Sequence, residues 1–560
     1  ENVSKFANFY REKKAIQKVV DTSNLTTEEK VSNLVVEGSK KDLIVYLDEL
    51  LQKYSPIDII NGPLMTGMDE VGRLFNNNDL IVAEVLQSAE VMKASVSHLE
   101  QFMEKDESSV KGKVIMATVK GDVHDIGKNL VGIIIGNNGY EVIDLGINTP
   151  AEKIREAIIE HKADFLGLSG LLVKSATEMV NTMGVLHEAG IDIPIFVGGA
   201  ALTEKFTVNK IEPAYKNNIV IYSRDAMTAL ADLNKMIDEK KFEEFKEYLQ
   251  KRRELVTIKD AKKLEQLKVK PTVSDIKDAD GTFDFSKVEL PKYDFEKIYK
   301  PQTLNKQIIT NIKAKDVFPF INLQMLIGKH LGMKWIVNNL IEKQDPRTIK
   351  LYNEILDIIE NGDEYFDIKA IYKFFPVRRK AGERKEDFKI EVLSDDLSTV
   401  LETFDFPRQK YGQYLSLNDY VSPDGIDYIG FFVATAGEKS RLVSNELKEK
   451  GEFYRGHIVN SVGLELAEAT SEYIHKMMRQ DVGIIDKDIA LNEILSAQYQ
   501  GNRYSFGYPA CPDLSDQRKL FNLLKPERYG ISLTEEFMMY PEATVSAIVF
   551  SQPFCKYFNM

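Results

Sequence analysis

Between Lys111 and Ile237, short apolar runs alternate with helix-length stretches, and this alternation constrains the fold more than any other feature. The apolar runs fall at 113–119, 141–145, 165–168, 193–197 and 219–222. Helical periodicity occupies 126–137, 151–161, 175–188 and 225–237. Strands alternating with helices form βαβ units, which assemble into a parallel sheet covered on both faces. The segment 106–238 therefore reads as a doubly wound, Rossmann-like α/β domain.

The flanks follow other patterns. In residues 1–105, Val31, Leu34, Val35, Leu43, Tyr46, Leu47, Leu50 and Leu51 recur at spacings of three and four, and helices are predicted over 30–54, 58–74 and 81–103. That is a helical bundle. Residues 239–270 are dense in Lys and Glu with few apolar positions, the pattern of a solvated helical linker. Residues 271–560 mix predicted helices (323–341, 345–361, 438–479) with predicted strands (388–393, 428–434, 543–550), a mixed α+β region. The whole is a multidomain α and α/β chain, as its 560 residues require, since single cores stop growing near ~250–300 residues.

Composition excludes several functions. A net charge of -13 argues against nucleic acid as the main partner. Two cysteines, Cys511 and Cys555, can build neither a disulfide framework nor a cysteine-rich zinc module, which fits a reducing, cytoplasmic setting. No apolar run reaches the ~20 residues that span a bilayer, so no membrane partner is expected. The chain starts at Glu1 without an initiator Met, as a piece of a longer protein would.

The first chemical pattern is Gly121-Asp122-Val123-His124-Asp125-Ile126-Gly127, set between a predicted strand and a predicted helix. Ligands of doubly wound sheets bind at the carboxyl ends of the strands. Histidine is the commonest nitrogen ligand to metals, and a carboxylate such as Asp122 commonly orients its other ring nitrogen. Gly127 would let something bulky approach the backbone. Taken alone, the loop is equally compatible with a plain turn carrying a solvent-facing histidine. Two further strand ends narrow the choice: Ser169-Gly170-Leu171 and Gly198-Gly199 place small residues where a flat macrocycle or its tail could lie against the backbone.

With these three loops the segment resembles the cobalamin-binding domain shared by methyltransferases and mutases. The resemblance implies that His124 replaces the nucleotide base as the lower ligand of cobalt. The cofactor tail would then pass Ser169, Leu171, Gly198 and Gly199 and end near Ala226. It also implies that Ser175 hydrogen-bonds Asp122, completing a His–Asp–Ser relay. Val173 stands where the family often has Thr. The preceding helices, with Asn61-Gly62-Pro63-Leu64-Met65 and Val71-Gly72-Arg73-Leu74-Phe75, resemble the helical cap of the cobalamin-dependent methionine synthases. Phe75 and Val82 are then the residues that shield the cobalt-bound methyl group, and Asn61 replaces the family's usual Glu beside the corrin. On composition alone, Phe75 reads as a helix-core residue.

A second pattern, Arg503-Tyr504-Ser505-Phe506-Gly507-Tyr508-Pro509-Ala510-Cys511-Pro512, lies near the C-terminus. On its own terms it is a structured loop in which Arg503 could pair a carboxylate in a fork. It is similar to the S-adenosylmethionine-binding motif of the activation domain in the same family. The resemblance implies ligand contacts at Arg503, Gly507, Tyr508, Asp316, Val549 and Phe550, with Val549 where the family often has Tyr. Cys511 has no matched histidine partner and is read as inert.

The resemblance covers about residues 30–560. It implies a helical cap (1–105), a cobalamin-binding domain (106–238), a linker (239–270) and an activation domain (271–560). The implied activity is that of a methyltransferase carrying methyl on cobalt between methyltetrahydrofolate and homocysteine. Reductive methylation with S-adenosylmethionine would restore methylcobalamin from cob(II)alamin. The homocysteine and folate barrels, with their zinc, would lie in an N-terminal part outside this chain. A flavodoxin-type electron donor and a monomeric state are implied. The alternative is a cobalamin-binding module, a corrinoid carrier without chemistry of its own; a mutase subunit is a further one, and the Arg503 motif argues against both.

Overall fold

A computed structural model describes residues 25–102, 110–171, 173–199, 202–237, 241–253, 285, 288–381, 388–485 and 491–558. The N-terminal helices are α1 (Thr27–Glu37), α2 (Leu43–Leu51), α3 (Met65–Asn76) and α4 (Val82–Leu99). A capping box starts α1: the Glu29 amide donates to the Thr26 hydroxyl, and the Thr26 amide donates to the Glu29 carboxylate. The predicted helix over 30–54 divides into α1 and α2. A π-turn, Ile60–Leu64, leads into α3, and Pro63, which has no N–H to donate, lies within it.

The central sheet is fully parallel in the order β2-β1-β3-β4-β5, with β1 (Lys113–Thr118), β2 (Glu141–Asp144), β3 (Phe165–Ser169), β4 (Ile195–Gly198) and β5 (Val220–Tyr222). Its helices are α5 (Ile126–Gly136), α6 (Ala151–His161), α7 (Val173–Glu188) and α8 (Ala226–Ile237). Alternation along β1 explains why the strands read as continuous apolar runs. Val114 and Met116 join α5, α8 and the N-terminal helices in one core, which also holds Val31, Val71 and Val85. Ile115 and Ala117 join α6 and α7 in another. Both faces are covered, so both sets of side chains are apolar.

The C-terminal part carries a seven-stranded antiparallel sheet. Its strands are β6 (Gln307–Ile312), β7 (Ile368–Ala381), β8 (Phe388–Leu393), β9 (Val400–Phe404), β10 (Asp427–Thr435), β11 (Asn502–Tyr504) and β12 (Thr544–Phe550). The order is β11-β12-β10-β7-β8-β9, with β6 also on β7. Helices α9 (Pro346–Glu360), α10 (Lys439–Glu449), α11 (Phe453–Asp481) and α12 (Gln517–Leu524) pack around it. On one face, Ile474 and Met478 of α11 pack with Phe374, Phe432, Ala547 and Val549. On the other, Leu520 and Phe521 of α12 pack with Phe404, Phe431, Tyr504 and Phe550.

Three further expectations change. The predicted helix over 438–479 is two helices, α10 and α11. Gly451 sits between them at φ +78, a conformation that costs a side chain more than it costs glycine. The chain then turns α11 back along α10, with Gly456 against Ser444 and Gly463 against Ser440. The predicted helix over 323–341 is a π-helix, Gln324–His330, and a separate helix, Val337–Glu342; the Gln324 side chain bridges the break through the Trp335 carbonyl and the Val337 amide. The linker's first part is docked rather than solvated. Residues 241–253 are helical, and Phe245 and Leu249 are buried in the first core, four residues apart on one face. The rest of the predicted linker, from 254 on, lies outside the described residues.

The parts meet at α4. Ile81 and Ala83 are buried in the C-terminal core with Leu331 and Val459, and Arg347 pairs with Glu84. Among the described residues, no helix is long and apolar enough to cross a membrane.

Candidate functional site

The order β2-β1-β3 reverses between β1 and β3, and the loop that carries His124 leaves β1 at this point. A crevice at the carboxyl ends of strands on either side of such a reversal is where open α/β sheets hold ligands. The loop is held from below. The Gly121 amide donates to Asn148 Oδ1 at 2.7 Å, and the Asn148 amide donates to the Asp122 carbonyl at 2.9 Å. Asn148 was not among the sequence-predicted residues. No local pattern marks it: it stands 27 positions from Gly121, and its left-handed backbone (φ 50), which Asn tolerates, is seen only in the fold.

Asp122 is fully buried and organises the site. Its Oδ1 accepts from His124 Nδ1 at 2.7 Å and from the His124 amide at 2.9 Å. Its Oδ2 accepts from the Ser175 hydroxyl at 2.5 Å and the Leu171 amide at 2.6 Å. The loop after β1 supplies Asp122 and His124, the loop after β3 supplies Leu171, and α7 supplies Ser175. Burial works against the Asp122 carboxylate, but hydrogen bonds from His124 and Ser175 and the His124 charge hold its pKa below the ordinary value. Burial likewise disfavours a charged imidazole, yet Asp122 raises the His124 pKa above its ordinary value.

This donor set fits a cobalt-bound cofactor. With Nδ1 committed to Asp122, His124 keeps Nε2, and its side chain retains 26% exposure. A carboxylate-oriented imidazole with one free nitrogen is the usual form of a metal-ligating histidine. The neighbouring loops approach each other closely. A Cβ on Gly199 would lie 1.7 Å from the Gly170 carbonyl oxygen, so only glycine permits this contact. The Gly170 amide donates to the Gly198 carbonyl at 3.3 Å, and the Ser169 carbonyl accepts from the Val119 amide at 3.1 Å. The Ser223 carbonyl lies beside Gly198, and the Ser223 hydroxyl is buried with no partner among the described residues, a polar atom suited to a ligand's tail. Ala226 begins α8 and is buried. Val173 begins α7, and its side chain lies outside the described ones. Val123 is buried and Gly127 exposed.

Further neighbours of this loop come from the C-terminal part. A Cβ on Gly121 would lie 2.4 Å from Glu536 Cγ, Lys120 pairs with Glu535 at 3.8 Å, and Arg441 approaches Asp125 at 3.7 Å. The charges of Glu542 and His124 act on each other; burial pushes the Glu542 pKa up to about 7, against the pull of His124. Val82 instead lies against Gly332, and Phe75 packs half-buried on the first core. Exposed Asn61 lines a cleft of about 1300 Å³ together with Met92, Asp125, Lys128, Tyr140 and Lys448, drawn from all three parts.

The second predicted group also assembles in part. Arg503 on β11 is the direct cross-strand partner of Val549 on β12, so both face α11. Arg503 Nη1 donates to Glu472 Oε2 on α11 at 2.5 Å. Gly507 has φ +86 and donates to the Cys511 carbonyl at 2.9 Å, leaving Tyr508 exposed. Asp316 is exposed on a short helix, Ala314–Val317, that packs on α11. Phe550 is one residue on from Val549, so its ring turns to the opposite face, against Tyr420 and Tyr504. Only its main chain can share the Arg503 side. Buried Cys511 donates to the Ser505 carbonyl at 2.9 Å, with its thiol pKa pushed up to about 12 by burial.

Comparison with known proteins matches each part. Residues 309–560 match the family model described as the activation domain of vitamin B12 dependent methionine synthase. Residues 112–231 and 27–100 match two models described as B12 binding domains. The chain is 31% identical to methionine synthase of Mycobacterium tuberculosis (strain ATCC 25618 / H37Rv), over 97% of this chain and 47% of that protein. It is also 31% identical to methionine synthase of Mycobacterium leprae (strain TN), over 96% and 47%. The chain thus spans about half the length of the curated relatives it matches. A solved structure of the MetH reactivation domain bound to AdoHcy is 23% identical, covers 51% of this chain and 87% of its own, and superposes with a TM-score of 0.43.

Proposed function

Since the chain belongs to the vitamin-B12-dependent methionine synthase family over its B12-binding and activation regions, we propose that it binds cobalamin through His124 and restores the methylated cofactor with S-adenosylmethionine. When bound, cobalamin supplies a cobalt centre that takes up and releases a methyl group. The chain's residues do the rest. Asp122 holds the His124 ring through Nδ1, which would leave Nε2 to hold the cofactor, and Ser175 fixes Asp122. The relay also holds a proton: His124 must be unprotonated at Nε2 to ligate, and the ion pair with Asp122 favours its protonation when it is not ligating. Residues 309–560 take the S-adenosylmethionine, with Arg503 for its carboxylate and Asp316 for its amino group.

The observation that carries this reading is the meeting of the two regions at one loop. Glu535, Glu536 and Arg441 of the C-terminal part surround the loop that presents His124. Within the longer enzyme, the same His124 would serve methyl transfer from methyltetrahydrofolate to homocysteine, bound by barrels elsewhere in the chain. A flavodoxin-type donor supplies the electron for restoration, and the protein acts as a cytoplasmic monomer.

The test uses the 560-residue chain loaded with cobalamin. His124→Gly should shift its absorption to the form lacking a lower nitrogen ligand. With a chemical reductant and S-adenosylmethionine labelled in the methyl group, the wild-type chain should retain label on its cofactor. An unchanged spectrum in His124→Gly would remove His124 as the ligand. Absence of label, with both small molecules bound, would refute the restoration activity.

A further inference from the structure

Arg503 does not stand alone beneath the Gly507–Tyr508 loop. Glu472, His475 and Arg479 follow one another along a single face of α11, three and four residues apart, and all three are buried. Glu472 Oε2 accepts from Arg503 Nη1 at 2.5 Å and from the Tyr499 hydroxyl at 3.4 Å, while Arg503 Nη1 also reaches the Tyr499 oxygen at 3.1 Å. The Tyr499 ring is held between the edge of His475, 5.2 Å between centroids, and the Arg479 guanidinium, 4.0 Å from the centroid. The Tyr557 hydroxyl donates to the Arg503 carbonyl. Both protein hydrogen bonds from the guanidinium therefore leave from Nη1. The Nη2 and Nε donors, the pair that grips a carboxylate side-on, make none among the described residues.

We infer that Glu472, with Tyr499, is the positioning residue for Arg503: it engages Nη1 and thereby turns the Nη2–Nε edge toward the carboxylate of the ligand. The inference rests on the reading that Arg503 binds the carboxylate of S-adenosylmethionine. A free arginine side chain samples many rotamers, and holding it in one spares the ligand that ordering cost. The charge balance supports the assignment. Burial, followed by the charges of Arg479 and Arg503, holds the His475 pKa well below its ordinary value, so His475 stays neutral and leaves Glu472 to the guanidinium. Burial opposes a cationic Arg503, but Glu472, Tyr499 and Tyr557 together outweigh it and keep the charge in place. Glu472 also acts without touching the ligand's carboxylate, since two anions would repel.

The experiment measures binding of S-adenosylmethionine and of its decarboxylated analogue to the cobalamin-loaded 560-residue chain by isothermal titration. Glu472→Gln keeps the shape and removes the charge. It should weaken S-adenosylmethionine about tenfold, the loss expected when one charge-assisted hydrogen bond stops orienting the fork. Binding of the decarboxylated analogue should not change. Tyr499→Phe, which removes only the hydroxyl, should show the same selectivity with a smaller loss of roughly threefold. An equal loss for both ligands would make Glu472 a structural residue and overturn the inference, as would no loss for either. A wild-type chain that binds the two ligands equally would overturn the Arg503 reading itself, and the inference with it.

Discussion

Replacing Asp122 by asparagine removes one charge and almost no volume, so it isolates what the buried carboxylate does. At the 2.7 Å separation from His124 Nδ1, an effective dielectric of about 20 gives a gross attraction of about 6 kcal/mol. Desolvation of the two ions takes back several kcal/mol, and charged hydrogen bonds retain about 1.5–3 kcal/mol net. A second cost is independent of charge. Asparagine has one oxygen for the two pairs of donors that Asp122 satisfies. If that oxygen serves His124, the Leu171 amide faces an NH2 group and loses its acceptor, costing about 1–3 kcal/mol. The Ser175 hydroxyl can rotate and accept instead.

The two costs separate with pH. The His124 pKa is raised on folding, so its contribution is complete below its unfolded value near 6.5 and disappears as pH rises through the folded value. The Asp122 pKa is lowered on folding, so its contribution is present above about 3.8 and is lost as pH falls through the folded value. The pair is thus fully formed between about pH 4 and 6.5. Asp122→Asn should destabilise the cofactor-free chain by about 3–5 kcal/mol at pH 5.5 and by only about 1–3 kcal/mol at pH 9. Hydrogen exchange of the β1 and β3 amides reads this locally, which suits a chain of several domains. Equal losses at the two pH values, or a larger loss at pH 9, would refute the ion-pair account.

Other perturbations test the C-terminal part. Burial lowers the His457 pKa to about 4, so the unfolded chain binds the extra proton below pH 6.5 and stability falls by ~3 kcal/mol by pH 4. His457→Gln should flatten that fall in thermal unfolding, and parallel pH curves would count against the assignment. The buried pair between Arg408 and Asp419 includes Arg408 Nη2 to Asp419 Oδ1 at 2.6 Å; Arg408→Ala should cost about 3–5 kcal/mol by leaving a buried charge alone. The double change Arg408→Met with Asp419→Leu should cost far less in the same unfolding measurement. Cys511, with its pKa near 12, should alkylate at pH 8 on the order of a thousandfold more slowly than in the unfolded chain, and prompt labelling of the folded chain would contradict its burial.

Some of this was legible along the chain because it is written in local periods. The parallel sheet follows from apolar runs of strand length separated by helices, and all five strands lie where those runs are. The D-x-H-x-x-G loop was visible because its residue types are chemically unusual and adjacent. Strands β6, β7, β9 and β11 were not read. β7 is buried on both faces through Phe375 and carries Pro376, so it lacks both alternation and a clean apolar run. Glu438 to Arg479 reads as one helix because its periodicity survives across Gly451, where only backbone geometry marks the turn. Phe245 and Leu249 looked like stray apolar residues in a charged stretch, and only a facing core gives them a role.

The sequence by itself determined which residues can do chemistry at His124, because Asp122 and His124 are two residues apart and any loop there brings them together. Tertiary structure decided the rest. Ser175 reaches Asp122 across 53 positions because β1 and β3 are neighbours, and Leu171 arrives by the same route. Arg503 meets Val549 through strand pairing and Glu472 through the packing of α11 on that sheet. What surrounds His124 is the most distant choice of all. Glu535, Glu536 and Arg441 come to the loop from more than 300 residues away, while Val82 is turned to Gly332. No local period encodes such contacts; they exist only once three separately readable segments have buried their remaining apolar faces against one another.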